Sequence, residues 1–139
     1  MISLEYIAGF FDGEGSVGVY KNGRGTFHLR TQITQNVTRC SRPLFEALQV
    51  QFGGNLSDHQ SLTKNRYFNW QLNGTGAAKF LKEILPHLRL KTEQAQVAIA
   101  WQASKLQPSR DRRGRMNPIP ARAEDFEVAL LLKAMKRTP

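Results

Sequence analysis

Two carboxylates separated by one glycine, Asp12 and Glu14, end the apolar run "LEYIAGFF" in a chain with a formal net charge of +9. Apolar residues in that run recur at i, i+3, i+4 and i+7, which predicts a short helix capped by Ser3 and ending at Gly13. Acids at a helix C-terminus oppose its dipole, at a cost of about 0.3–1 kcal/mol each. Carboxylates so placed suit a bound Mg²⁺, with phosphate and water completing its shell. Alternatively, Asp12 merely caps the helix or pairs with an arginine.

The glycines around these acids also match a nucleotide-binding pattern. Gly13, Gly15 and Gly18 have the spacing G-x-G-x-x-G. That fingerprint follows a strand and opens a helix, whereas here it closes a predicted helix and opens a predicted strand. No acid between Glu14 and Glu46 could hold a ribose. The context therefore argues against a dinucleotide site.

Composition bounds the class of protein. The chain has 139 residues, of which 40% are hydrophobic, and this size fits one domain with a real core. No apolar run is long enough to cross a bilayer, and the N-terminus lacks the features of a signal peptide. The single Cys40 cannot form an internal disulfide. We expect a protein that is not secreted, located in the cytoplasm or an organellar matrix, with no membrane partner.

The distribution of charge indicates a polyanionic partner. The isoelectric point is about 10.2. The segment from residue 15 to residue 82 contains nine basic residues and only two acids, Glu46 and Asp58. Nucleic acid or an anionic membrane surface would suit this excess. A solvated basic face without a ligand is the alternative.

Periodicity predicts the fold class as α+β, with the order α-β-β-α-β-β-α-α followed by a basic loop and a C-terminal helix; the first seven of these elements, α-β-β-α-β-β-α, include the four strands. Strands are predicted at residues 16–21, 26–36, 55–59 and 66–73, and helices at 3–13, 41–52, 75–88 and 93–106. Two hairpins should form one four-stranded antiparallel sheet, with helices over its apolar face and its other face polar. We expect a core domain over residues 1–107, with residues 108–139 packed on it as an irregular basic loop and a C-terminal helix.

A polar sheet face can read base edges in a DNA groove, where arginine pairs with guanine and glutamine or asparagine with adenine. The alternative is a face that merely contacts water. Residues predicted to contact DNA, on the strands, in the turns and in the basic loop, are Tyr20, Asn22, Arg24, His28, Arg30, Gln32, Asn55, Ser57, His59, Arg66, Tyr67, Asn69, Gln71, Arg110, Arg112, Arg113 and Arg115.

The segment "YIAGFFDGEG" at residues 6–15 resembles the LAGLIDADG motif of homing endonucleases, with hydrophobic exchanges and Glu14 in place of the final aspartate. The predicted element order agrees over residues 3–106. The chain is most similar to the single-motif group, which act as homodimers. The resemblance implies double-stranded DNA with a long pseudo-palindromic site as the partner, and sequence-specific double-strand cleavage.

The resemblance also implies roles for individual residues. The Glu14 carboxylate and the Gly13 carbonyl would bind Mg²⁺; Mn²⁺ is expected to substitute, and Ca²⁺ to support binding without cleavage. "ITQNVTR" and "LPHLRLKTEQ" resemble active-site stretches, in which Gln35 would position the water, Arg39 stabilise phosphate charge and Lys91 supply the basic group. The first helices would pack across the dimer axis, with interface residues Ile7, Ala8, Gly9, Phe11 and Asp12.

Other functions stay open at this point. A non-cleaving RNA-splicing maturase or a DNA-binding regulator would keep the fold without the chemistry. Retention of Glu14, Gln35, Arg39 and Lys91 together argues against a decayed site. No splicing blocks flank the motif, which disfavours an endonuclease within an intein, and a purely structural basic protein would not explain the acids.

Overall fold

A computed structural model describes residues 1–23, 25–60, 62, 65–105, 109–117 and 119–137. Within them the chain forms helices and strands in the predicted order, so the α+β fold class is confirmed. The elements are α1 (Leu4–Glu14), β1 (Gly15–Lys21), β2 (Phe27–Asn36), α2 (Ser41–Phe52), β3 (Asn55–Gln60), β4 (Arg66–Asn73), α3 (Gly74–Ile84), a short 3-10 turn (Leu85–His87), α4 (Thr92–Ser104) and α5 (Ala123–Arg137). The predicted domain boundary at 107 lies outside the described residues and stays a prediction.

The four strands form one antiparallel sheet in the order β1-β2-β4-β3. Alternate residues of β2, including Phe27, Leu29 and Ile33, are buried against the helices. On β4 the buried residues are Phe68, Trp70 and Leu72. Because successive side chains of a strand point to opposite faces, the residues between them form a second, polar face. The helices lie on the apolar side, as the sequence predicts.

One face of helix α1 packs in the hydrophobic core. The Ser3 hydroxyl accepts a hydrogen bond from the Tyr6 N–H at 3.2 Å, which confirms the predicted cap. The helix continues one residue beyond Gly13 and ends at Glu14. A side chain at Gly15 would overlap the Phe11 ring, so a glycine is needed where the chain turns from α1 into β1. Glu14 is thereby held at the junction of helix and sheet.

The basic segment is more ordered than the sequence predicts. Residues 109–117 form a small hairpin with a bridge between Arg110 and Met116. At its turn, the Asp111 carboxylate accepts hydrogen bonds from the Arg113 and Arg115 N–H groups at 2.8 and 2.9 Å. Hydrogen bonds from Arg115, more than the one from Arg113, lower the pKa of Asp111. These residues thus form no regular helix or strand, as the sequence predicts, but hydrogen bonds fix their turn.

Helix α5 is held against α4 by a buried carboxylate. Asp125 accepts hydrogen bonds from Trp101 Nε1 at 2.9 Å and from the Arg122 N–H at 2.9 Å. Leu132, further along α5, is fully buried. Burial acts to raise the pKa of Asp125, but the hydrogen bonds and the Arg122 charge outweigh it and lower that pKa. The folded protein thus favours the charged carboxylate.

We expect Asp125→Ala to lower the free energy of unfolding by about 2 kcal/mol, because the buried Trp101 N–H loses its acceptor. Since folding lowers the Asp125 pKa, this contribution is present above the pKa of an unfolded aspartate and disappears as the pH falls through the folded value. Urea unfolding at neutral and acidic pH measures both effects. Glu127→Ala, on the exposed side of α5, is the control; equal losses in the two variants would contradict the role of Asp125.

Candidate functional site

Asp12 ties the end of α1 to the loop before α4. Its carboxylate accepts three backbone hydrogen bonds, from the N–H groups of Arg89 at 2.8 Å, Leu90 at 3.1 Å and Lys91 at 3.0 Å. The Lys91 ammonium group in turn donates to the Asp12 carbonyl oxygen. Both carboxylate oxygens of Asp12 are therefore already engaged within the protomer. Its role in this structure is to fix a contact between residues nearly eighty positions apart.

Glu14 is the free carboxylate of the pair. It is exposed, and no described residue forms an ion pair or hydrogen bond with its side chain. With Thr34, Gln35, Asn36 and Tyr67 it lines an open depression of about 310 Å³ at the end of the sheet. The structure thus brings the predicted residues Glu14 and Gln35 together.

Lys91 lies next to this site: it does not line the depression, but its ammonium group binds the carbonyl of Asp12, two residues before Glu14. Burial is the main reason that its pKa lies below the ordinary value, and the charge of Lys136 lowers it further. Asp12 and Glu14 act in the opposite direction. Both carboxylates therefore lie near enough to the Lys91 ammonium group to stabilise its charge.

Arg39 and Gly13, which the sequence also assigns to the site, do not line the depression. Arg39 is exposed in the turn before α2 and is not among the residues that line the depression. Gly13 is exposed beside Glu14, and no atom lies within 4 Å of the place where its side chain would begin. The backbone at Gly13 is therefore open to an approaching ligand.

One protomer offers a sparse set of metal ligands. In the part of the chain that the structure describes, no group of three or more histidine, cysteine, aspartate or glutamate residues could hold a metal ion. A single free carboxylate nevertheless fits Mg²⁺, which takes one or two protein carboxylates and fills its other positions with phosphate and water. The donor chemistry of Glu14 and the Gly13 carbonyl suits a hard cation that binds together with a phosphate ligand.

The polar face of the sheet is continuous across all four strands. The cross-strand register places on it, strand by strand, Ser16, Gly18 and Tyr20; His28, Arg30, Gln32, Thr34 and Asn36; Tyr67, Asn69, Gln71 and Asn73; and Asn55, Ser57 and His59. Except at Gly18, every residue of this set has a side chain that can form hydrogen bonds, and none is acidic. Sequence reasoning missed Ser16, Thr34, Asn36 and Asn73, although the period-two spacing from Arg30 already pointed to Thr34 and Asn36.

Several side chains of this face are held in place by their neighbours. Arg30 lies 3.2 Å from His28 Nε2 and donates to Asn73 Oδ1 at 3.3 Å. The His59 ring stacks on Tyr67, with centroids 5.3 Å apart. Burial, followed by the charges of Arg30 and Lys105, lowers the pKa of His28 and favours its neutral form. Hydrogen-bonding groups are thus arranged before a partner binds.

The structure places three other predicted DNA-contact residues away from the polar face or outside the described residues. Arg66 pairs in register with Gln60 on the helix side of the sheet, where it forms an ion pair with Asp58. Its predicted contact with DNA therefore cannot be made from the polar face and stays a prediction. Arg24 lies outside the described residues. Asn22 shapes the β1–β2 turn by accepting the Thr26 N–H at 3.2 Å.

Two arginines of the basic hairpin, residues 109–117, bind groups within the hairpin itself. Arg110 donates to the Gly114 carbonyl at 2.7 Å, and Arg115 pairs with Asp111 at 2.9 Å. Arg112 and Arg113 are exposed at its turn. These two side chains are therefore the ones best placed to reach an anion.

Burial also revises the predicted dimer interface. Ile7, Ala8 and Phe11 are fully buried in the core of the protomer, so their side chains cannot also contact a second copy. The open face of α1 carries Tyr6 and Gly9. No atom lies within 4 Å of the place where a Gly9 side chain would begin.

Comparison with known proteins gives a family match over most of the chain. The sequence model of a family described as LAGLIDADG endonuclease matches residues 7–103. The intron-encoded RNA maturase bI4 of Saccharomyces cerevisiae (strain ATCC 204508 / S288c) is 34% identical over 68 residues, which are 49% of this chain and 10% of the maturase. This chain therefore spans only a tenth of that relative.

Solved structures show a similar fold. The homing endonuclease I-CvuI, in complex with an uncleaved I-CreI target in the presence of Mg, has a TM-score of 0.55 at 19% identity, covering 72% of this chain and 65% of that one. The same enzyme was also solved with its own target in the presence of Ca. The meganuclease I-SmaMI, bound to uncleavable DNA, has a TM-score of 0.57 at 18% identity, covering 95% of this chain and 44% of that one. This chain thus spans less than two thirds of either enzyme.

We expect Asp12 and Glu14 to differ sharply when replaced. Asp12→Ala should lower the free energy of unfolding by about 2 kcal/mol, because three N–H groups lose a charged acceptor. Glu14→Gln should change it by less than about 0.5 kcal/mol, because the exposed side chain forms no hydrogen bond or ion pair with a described residue. Urea unfolding of the two variants measures this difference. An Asp12→Ala protein as stable as the parent would show that Asp12 does not hold the 89–91 loop.

Proposed function

The chain belongs to the LAGLIDADG endonuclease family, and on that premise we propose that it is a homing endonuclease. It cuts both strands of DNA at a long pseudo-palindromic site, as a homodimer and with a divalent metal ion, and is encoded within an intron. The observation that carries this proposal is the free Glu14 carboxylate, which lies beside Lys91 at the end of a polar sheet face without acids.

The residues of the site have separate tasks in phosphodiester hydrolysis. Glu14 and the Gly13 carbonyl would hold Mg²⁺, which when bound would supply Lewis-acid chemistry to the scissile phosphate and to the attacking water. Gln35, in the same depression as Glu14, positions the attacking water. Lys91 offsets the negative charge that develops on the phosphate. Arg39, in the turn before α2, helps to offset the same charge. No covalent intermediate with the protein is needed.

The sheet supplies binding and specificity. Its polar face would lie in the major groove, where Arg30, Gln32, Asn69 and Gln71 have the side chains to read base edges. Arg112 and Arg113 of the basic hairpin would contact phosphates without reading sequence. Because these contacts release counterions, affinity should fall steeply as the salt concentration rises.

Cleavage of both strands needs two sites, and one protomer offers one free carboxylate. The open face of α1 suits the pairing of two copies, because Gly9 permits a close approach of the helix axes. Two copies of Glu14, each at the end of its helix, would then lie near the dimer axis and meet the two scissile phosphates.

We place this activity where DNA is found inside the cell, in the cytoplasm or an organellar matrix. Among the described residues, no helix is long and apolar enough to cross a membrane. The basic surface is assigned to nucleic acid because the chain belongs to an endonuclease family.

The similarity to an intron-encoded RNA maturase favours a second candidate, an RNA-splicing function of the same fold. A maturase would keep the basic surface but would not need the Glu14 carboxylate. Tight, specific binding of a structured intron RNA, together with no cleavage of any DNA in a randomised pool, would favour this candidate.

We expect Mg²⁺-dependent double-strand cleavage of a subset of duplexes in a randomised DNA pool. Glu14→Gln should lower the cleavage rate at least about 100-fold, because it removes the charged metal ligand. Binding of the selected duplex in Ca²⁺ should remain within about threefold of the parent protein. Chelation of the metal should stop cleavage by the parent. Unchanged cutting by Glu14→Gln would overturn the assignment of Glu14.

The dimer has a matched pair of test variants. A side chain at Gly9 or Gly76 meets no atom of the protomer, and both residues are exposed in helices. Gly9→Leu should therefore fold but run as a monomer of 15.8 kDa, because leucine obstructs the approach of a second α1. Gly76→Leu, on α3, should keep twice that mass. Light scattering measures both, and a dimeric Gly9→Leu would exclude this interface.

A further inference from the structure

Helix α5 lies beside β1, the outer strand of the sheet, and brings a lysine to the polar face. Its anchor near the N-terminal end is Asp125, which binds Trp101 on α4. Near its C-terminal end, the Lys136 ammonium nitrogen lies 3.5 Å from the Tyr20 hydroxyl and 5.9 Å from the centre of the Tyr20 ring. This helix lies outside residues 7–103 that the family model matches.

Tyr20 adopts an orientation that a glycine makes possible. A side chain at Gly18 would overlap the Tyr20 ring and hydroxyl. The ring therefore leans over Gly18, toward the end of β1 where Glu14 lies. The guanidinium carbon of Arg30 lies 5.3 Å from the centre of the same ring. Tyr20 thus contacts both Arg30 of the sheet and Lys136 of α5.

This arrangement concentrates positive charge at the end of the sheet near the candidate active site. Lys136 lies near enough to Lys91 to lower the Lys91 pKa. Among the described residues, no carboxylate pairs with Lys136. Like charges held close together repel one another, and an anion bound between them relieves that repulsion.

We propose that Lys136 is a phosphate-binding residue of the DNA complex, which α5 delivers to the side of Lys91 and which Tyr20 positions. The ligand group is a phosphodiester of the DNA backbone next to the scissile one. This inference rests on the proposed function and extends it to the C-terminal helix. The helix then has a part in binding as well as in packing.

The test compares two lysines of α5. The probe is a duplex that the parent protein retains from a randomised pool in Ca²⁺, and its Kd is measured over a range of KCl concentrations. Lys136→Gln should reduce the slope of log Kd against log salt concentration by about 0.9 for each copy of Lys136 in the complex. Lys133→Gln removes the same charge from an exposed position one turn earlier and should leave the slope unchanged.

Three further variants test the charge of Lys136 and the role of Tyr20. Lys136→Arg should restore the slope of the parent, because it keeps the charge. If Tyr20 positions Lys136, Tyr20→Leu should weaken DNA binding. The further increase in Kd caused by Lys136→Gln should then be smaller in the Tyr20→Leu protein than in the parent protein.

The outcomes separate this inference from the proposed function. A parent protein that retains no duplex overturns both. If the parent protein binds DNA, two results overturn the assignment of Lys136 alone. One is a salt slope in Lys136→Gln equal to that of the parent; the other is a decrease of the slope in Lys133→Gln as large as that in Lys136→Gln. Additive effects of the Tyr20 and Lys136 substitutions overturn the positioning role of Tyr20.

Discussion

The Asp12 carboxylate, with three backbone N–H groups of the 89–91 loop bound to it, is the contact on which the geometry of the site depends. Helix α1 and helix α4 are far apart in sequence, and this contact brings the end of one to the start of the other. It thereby brings Lys91 close to Glu14, because the Lys91 ammonium group binds the carbonyl of Asp12, two residues before Glu14. A charged acceptor that receives three hydrogen bonds also explains why an acid is stable at a helix C-terminus, where the dipole alone disfavours it. Two acids of similar appearance therefore have different roles: one holds the backbone and the other is free.

The sheet contributes through the alternation of its strands. One face packs under the helices with phenylalanine, leucine and tryptophan, and the other presents hydrogen-bonding side chains without an acid. Because the apolar face fixes the register, the polar face is fixed with it. The contacts of Arg30 with His28 and Asn73 restrict that face further before any partner binds. A rigid, acid-free surface suits a large polyanion better than it suits a small ligand.

The period-two pattern of β2 and β4 was enough to predict the sheet and its two faces, since burial of Phe27, Leu29 and Ile33 follows directly from it. The pairing of β2 with β4 and the contacts of Asp12 depend on residues distant in sequence, which no local pattern reports. Two further placements follow from local patterns. The apolar stripe of α1 already assigned Ile7, Ala8 and Phe11 to the core, and a buried stripe cannot also form a dimer interface. Arg66 alternates with Tyr67 and therefore belongs to the helix side of β4.

The most direct test of the central claim, that Glu14 holds a metal ion against bound DNA, is anomalous diffraction from crystals of the protein with a selected duplex and Mn²⁺. We expect an anomalous peak at about 2.0–2.3 Å from a Glu14 carboxylate oxygen, with the Gly13 carbonyl and a DNA phosphate oxygen in the same shell and the duplex against the polar sheet face. Bound DNA with the manganese elsewhere, or a duplex on the helix side of the sheet, would contradict it.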